Sequence, residues 1–170
     1  WYVREWMMSG PIAAAGNPGD LAIDYLEAMG GEENARPQVT QEFDYGGNTY
    51  RWHRLASPLF AVVDLAAHYE RDEDAVIYAH AMIDSPAAER VRALVGSNDG
   101  VEVFVNGEKV HSRPVVRTLT IDEDEVWLPL QEGRNHLLLK VSQGSNDWAF
   151  TFRLPDEEIR SRKNRYRIVP

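Results

Sequence analysis

From Tyr50 onward the chain alternates apolar and polar positions in short runs rich in β-branched and aromatic residues, with turn residues between them. A period of two puts successive side chains on opposite faces, so each run reads as a strand with one buried face. Strands are predicted over 50–55, 60–65, 75–83, 90–96, 101–105, 109–113, 125–130, 136–142 and 148–154. The phase assigns a core face to Val101, Val103 and Val105, to Val126, Leu128 and Leu130, and to Leu137, Leu139 and Val141. Trp148, Phe150 and Phe152 take one face of the last strand, and Ala149, Thr151 and Arg153 the other. Asn106-Gly107 predicts a tight hairpin, because both central positions tolerate positive φ. Asn98-Asp99-Gly100, Gly133, Gly144 and Asn146-Asp147 mark further turns. Nine strands with almost no helical pattern point to an all-β sandwich or barrel rather than a parallel α/β sheet.

The segment 9–48 is different. It is rich in Gly, Pro, Ala and acids. One short helix is predicted there over 21–29, capped by Asp20 and ended by Gly30-Gly31, with Ile23, Leu26 and Met29 on its buried face. The last stretch, 155–170, carries three acids and then five basic residues. It reads as a charged tail or linker after a domain over 1–154, and Tyr166 and Ile168 are the residues that would anchor it if it docked as a strap.

Composition narrows the function. The chain has 170 residues, no cysteine, five tryptophans and a net charge of −9. The missing cysteines exclude a disulfide scaffold, a thiolate metal site and a thiol nucleophile. The acidic balance disfavours nucleic acid, whose phosphates need clustered Lys and Arg. No window approaches 18 apolar residues, so no membrane-spanning helix is predicted. The start at Trp1, with no signal region, and the stop at Pro170 lead us to expect a domain cut from a longer chain.

Two stretches carry a family resemblance. Residues 96–110, Gly-Ser-Asn-Asp-Gly-Val-Glu-Val-Phe-Val-Asn-Gly-Glu-Lys-Val, resemble the hairpin of galactose-binding-like jelly-roll domains. Residues 130–141, Leu-Gln-Glu-Gly-Arg-Asn-His-Leu-Leu-Leu-Lys-Val, are similar to their later "L-x-x-G-x-N-x-L-L-x-K-V" signature, and 148–154 resemble the closing strand. Looser likenesses are Trp6 to Pro11 and Gly47 to Trp52. The resemblance implies a jelly-roll β-sandwich of eight or nine strands. It also implies a non-catalytic module of a secreted, periplasmic or surface-bound bacterial polysaccharide-acting protein, in which structural calcium occurs in some members.

The chemistry fits a binding module better than an enzyme. His53, His68, His80, His111 and His136 form no metal-binding spacing, and there is no nucleophile elbow. The acidic runs 72–74 and 122–125 suit calcium by donor type, but neither has a calcium-loop spacing. For a polysaccharide or oligosaccharide the informative residues are aromatic. Val126, Leu128 and Leu130 facing the core turn Trp127 outward, and an outward Trp asks for a partner. Polar neighbours around Trp52 predict a partly exposed strand, and Tyr45 and Tyr50 flank the Gly46-Gly47-Asn48 loop as a rim. Asn98, Asp99, Arg117, Asn146 and Asp147 would supply hydrogen bonds from loops. Trp6 and Trp148 are assigned to the core. The competing expectation is a structural domain that packs on a neighbouring domain of the same parent chain without binding sugar.

Overall fold

The computed structural model describes residues 2–15, 18–56, 62–69, 73–145, 147–155 and 166–169. It is all-β. The strands are β1 (Glu5–Ala13), β2 (Glu42–Tyr45), β3 (Asn48–Arg51), β4 (His53–Ala56), β5 (Val62–Asp64), β6 (Glu73–Ser85) and β7 (Glu89–Asn98). They continue as β8 (Val101–Val105), β9 (Glu108–Arg113), β10 (Asp124–Leu130), β11 (Gly133–Ser145), β12 (Ala149–Arg153) and β13 (Arg167–Val169). The large sheet runs β4-β1-β6-β11-β8-β9, with β13 also paired to β6. The small sheet runs β10-β7-β12-β5, and β2-β3 form a separate hairpin. The pairings are antiparallel.

The two sheets face each other across the main core. Val101, Val103, Val105, Leu137, Leu139 and Val141 meet Val91, Val95, Val126, Leu128, Phe150 and Phe152 there. Trp6 packs edge-on against Phe150 and Phe152, with ring centroids at 5.3 and 5.9 Å. The predicted phases are those observed. The β8–β9 hairpin also turns at Asn106-Gly107, with φ of 52° and 92°. Gly107 has a second constraint, since a Cβ there would lie 2.1 Å from the carbonyl oxygen of Glu33.

The large sheet is covered on its other face too. Tyr25, Leu26, Ala35, Phe43 and Trp52, from a cap that spans 14–52, pack on Met7, Ile12, Val76, Tyr78, Phe104 and Leu138. This second core explains two departures from the sequence reading. The helix expected over 21–29 is realised as two 3₁₀ segments, Pro18–Ala22 and Glu27–Met29, ended by Gly30 in the left-handed region. Between them Asp24 accepts hydrogen bonds from the N–H groups of Leu26 and Glu32, and the Leu21 and Ile23 carbonyls turn to the Lys140 ammonium. Those groups are thereby withdrawn from a continuous helix. The run expected as one strand over 50–55 is split at Trp52 into β3 and β4. Trp52 turns into the second core.

The Gly10-Pro11 step hid β1 in the sequence, because proline is rare inside strands. β1 keeps its pairing with β6 by a register shift between Ser9 and Ile12. The end of the stretch read as a charged tail belongs to the large sheet. Tyr166 is buried and donates to Glu89, and β13 pairs with β6 at 82–84.

Candidate functional site

The outer face of the small sheet ends in a row of three residues. Ala149 on β12 is the cross-strand partner of both Asp64 on β5 and Asn98 on β7. Strands lie about 4.8 Å apart, so Asp64 and Asn98 stand roughly 10 Å from each other across one methyl group. Thr118 and Leu119 form one wall, and Val62, Ala66, Ala67, Asp147 and Trp148 complete an open cleft of about 510 Å³.

Two kinds of unsatisfied chemistry meet there. Asn98 is only 7% exposed, yet its Oδ1 has no hydrogen-bond partner. A buried acceptor left so costs about 1–3 kcal/mol. Asp64 accepts a hydrogen bond from the Ala67 N–H at 3.0 Å. Neither Asp64 nor Asp147 has a lysine or arginine partner among the described residues.

The wall is held rigidly. Gly96 carries no Cβ because one would lie 2.3 Å from the carbonyl oxygen of Thr120, so the loop backbone rests directly on the sheet. Arg117 pins that loop. Its N–H donates to Asp99 Oδ1 at 2.9 Å, its guanidinium to the Ser97 carbonyl at 3.1 Å and to Asp124 at 2.5 Å, and it pairs with Glu123 at 3.2 Å. Asp99 Oδ2 accepts from the Gly144 N–H at 2.8 Å. Asp99 and Arg117 are therefore spent on the fold, not offered to a ligand as the sequence suggested. The acidic run over 122–125 is likewise matched by arginines: Asp122 by Arg153, Glu123 and Asp124 by Arg117, and Glu125 by Arg92. Burial pushes the Asp124 carboxyl up, but the Arg117 hydrogen bonds and charge, helped by His111, hold it below the usual carboxylate range. Among the described residues no three His, Asp or Glu side chains are grouped to hold a metal ion.

Of the residues the sequence singled out, Asn98 and Asp147 come together in this cleft, with Asp99 and Arg117 behind its wall. Asn146 lies outside the described residues. The aromatic platform does not form. Trp52 has 0% exposure, and its ring lies over Tyr78 on the outer face of the large sheet. Its polar neighbours misled because they flank a strand break and not an open strand. Tyr45 packs on Tyr25 at 4.9 Å and Tyr50 stacks on Phe43 at 5.6 Å, so both serve the second core rather than a rim. Trp127 does point outward, at 43% exposure, on the outer face of the small sheet. It is thus on the opposite side of the sandwich from Trp52, with the Arg90 guanidinium 5.9 Å from its ring centroid.

A buried polar cluster under the cap escaped the sequence reading. The Lys140 side chain is fully enclosed. Its ammonium lies 2.7 Å from Glu32, donates to the Leu21 carbonyl at 2.8 Å and to the Ile23 carbonyl, and sits 5.0 Å from the Tyr25 ring centroid. Tyr78 donates to the same Glu32 oxygen at 2.5 Å. Burial pushes the Glu32 carboxyl up and the Lys140 ammonium down, each against the pull of its partner. Beside this cluster His80 and His136 share a hydrogen bond at 3.0 Å. Burial first, then His136 and Arg36, push His80 down to about 3. The outer phase of β11, His136-Leu138-Lys140, was visible in the sequence, but nothing local showed that the cap covers it.

No protein-family model and no curated protein matches the chain. Among solved structures, an anti-sigma factor domain-containing protein aligns over 71% of this chain and 40% of its own length, at 12% identity and a TM-score of 0.46. An anti-sigma factor domain-containing protein from Clostridium clariflavum aligns over 100% of this chain and 45% of its own length, at 12% identity and a TM-score of 0.40. The chain spans less than half the length of either. Both carry the description anti-sigma factor domain-containing protein, and neither is described as a galactose-binding-like carbohydrate module. With Trp52 buried and the platform absent, the expectation of a polysaccharide-binding or accessory module of a secreted polysaccharide-acting protein is corrected. So is the expectation of a sugar, or of a neighbouring catalytic domain, as partner.

Proposed function

We propose that this chain is a non-catalytic recognition domain that holds a peptide segment of a protein partner in the cleft between β5, β7, β12 and the 114–123 loop. The observation that carries this reading is the unpartnered Oδ1 of Asn98, a buried acceptor at a concave and otherwise rigid site. A peptide N–H satisfies such an acceptor, and recovering an unmade hydrogen bond of this kind is worth about 1–3 kcal/mol. Ala149 leaves room between the strands for the segment, while Val62, Ala66, Ala67 and Leu119 offer apolar contact. Among the described lining residues the polar side chains are Asp64, Asn98, Thr118, Asp147 and the Trp148 indole, a set rich in hydrogen-bond acceptors for peptide N–H groups.

The test is a nuclear magnetic resonance titration of the ¹⁵N-labelled chain with the N-acetyl methylamides of the twenty amino acids. At least one is expected to move the amide signals of Asn98, Thr118 and Ala149, and Ala149→Leu is expected to abolish the shifts. A panel in which no member moves them overturns the reading.

A further inference from the structure

We infer that the residue this cleft selects is basic, and that Asp64, Asp147 and Asn98 Oδ1 together receive a guanidinium or ammonium group carried by the partner peptide. The inference rests on the recognition reading above and adds the charge of the occupant.

The argument is one of complementarity. Asp64 and Asp147 are the charged groups among the cleft's lining residues, and they bear the same sign. The acids of the neighbouring 122–125 run are matched, each facing an arginine. Asp64 and Asp147 have no such partner among the described residues, and they share one cleft. The third acceptor, Asn98 Oδ1, is buried and lies in the same strand row as Asp64. Three oxygen acceptors around one small side chain fit a multi-donor cation. A guanidinium carries five donors and an ammonium three.

The remaining lining fits the rest of such a side chain. Arg and Lys carry apolar stems that lie along apolar surface while the charged head meets polar partners. Val62, Ala66, Ala67 and Leu119 provide that surface beside the carboxylates. A cleft of about 510 Å³ is far larger than a bare metal ion needs and is of the size that admits a long side chain with its flanking backbone. The net charge of −9 adds a long-range attraction for a basic segment.

The experiment compares four probes by chemical-shift titration and calorimetry on the intact chain. They are acetyl-Gly-Arg-Gly-amide, its citrulline isostere, agmatine and calcium chloride. The arginine peptide is expected to shift Asn98, Thr118 and Ala149, and to bind at least about fivefold more tightly than the neutral citrulline peptide, as charge-assisted hydrogen bonds require. The double variant Asp64→Asn with Asp147→Asn is expected to erase that preference. Both positions are exposed, so the fold survives, and the citrulline peptide serves as the control. Raising the salt from 50 to 500 mM is expected to weaken only the arginine peptide. Equal binding of the arginine and citrulline peptides overturns the charge inference and leaves the recognition reading standing. Agmatine binding as tightly as the peptide overturns the protein source of the cation. Calcium moving the same amides at lower concentration than the peptide overturns the basic side chain in favour of a metal. No binding by any probe, together with a silent methylamide panel, overturns both readings.

Discussion

Lys140→Met tests the account of how the cap is held. The lysine has no exposed surface, and its ammonium satisfies the Glu32 carboxylate and the carbonyls of Leu21 and Ile23. Methionine keeps most of the volume, so the cavity term is small and the loss is electrostatic. Removing one partner of a buried ion pair costs about 3–5 kcal/mol, because it strands the other charge. Relief is available here. Burial already raises the Glu32 carboxyl, so it takes up a proton once the lysine is gone, and Tyr78 remains beside it. That places the loss near the lower end, at about 3 kcal/mol. For a domain of this size each kcal/mol moves Tm by about 2–4 °C, so Tm falls by roughly 6–12 °C. Circular dichroism melts and urea titration measure it, and hydrogen exchange should show faster opening of amides in 21–35 than of those in β7 or β12. The double variant Lys140→Met with Glu32→Gln is expected to recover at least half the loss, since replacing both charges leaves none stranded. A single-variant loss below about 1 kcal/mol, or a double variant no better than the single, would refute the reasoning.

Three further outcomes are expected. His80 has a folded pKa near 3, below its unfolded value, so the unfolded chain binds the proton first and stability falls as pH drops from about 6.5 toward 3. Urea midpoints against pH should fall less steeply for His80→Gln. Gly96→Ala places a methyl against the Thr120 carbonyl oxygen and must displace the loop, so a loss of about 1–3 kcal/mol is expected, with shifted amides across 117–121. Trp127→Ala removes a half-exposed ring and its Arg90 contact. Urea unfolding should move by no more than about 1 kcal/mol, in contrast to Trp52→Ala, which empties a fully buried site and costs about 3–5 kcal/mol.

Most strands between residues 73 and 154 were legible because they bury one face in the sheet-to-sheet core. The alternation Val101-Val103-Val105 and its counterparts in β10, β11 and β12 record that burial directly. The Asn106-Gly107 turn was legible because its backbone conformation is local. β1 was not, because its pairing with β6 passes the Gly10-Pro11 step by a register shift between Ser9 and Ile12, which no period-two pattern shows. Trp52 and Trp127 are the sharpest contrast. Trp52 stands among polar neighbours and Trp127 between Val126 and Leu128, yet the first is sealed beneath the cap and the second is open. The likeness to sugar-binding modules rested partly on turn residues such as Asp99 and Asn135, and these have structural work of their own. Asn135 accepts from the Gln131 N–H and donates to the Ile83 carbonyl.

By itself the sequence determined the all-β class, the core-facing phase of most strands, the hairpin at 106–107 and the outward turn of Trp127. These follow from period-two burial and from local backbone preference, which neighbouring residues encode. The tertiary structure decided everything that depends on which faces are covered. It placed a second core on the outer side of the large sheet, buried Lys140 against a glutamate 108 positions earlier in the chain, and spent Asp99 and Arg117 on the loop wall. It also brought Asp64, Ala149 and Asn98 into one row. Pairing across strands far apart in sequence sets that row, and no local pattern carries it.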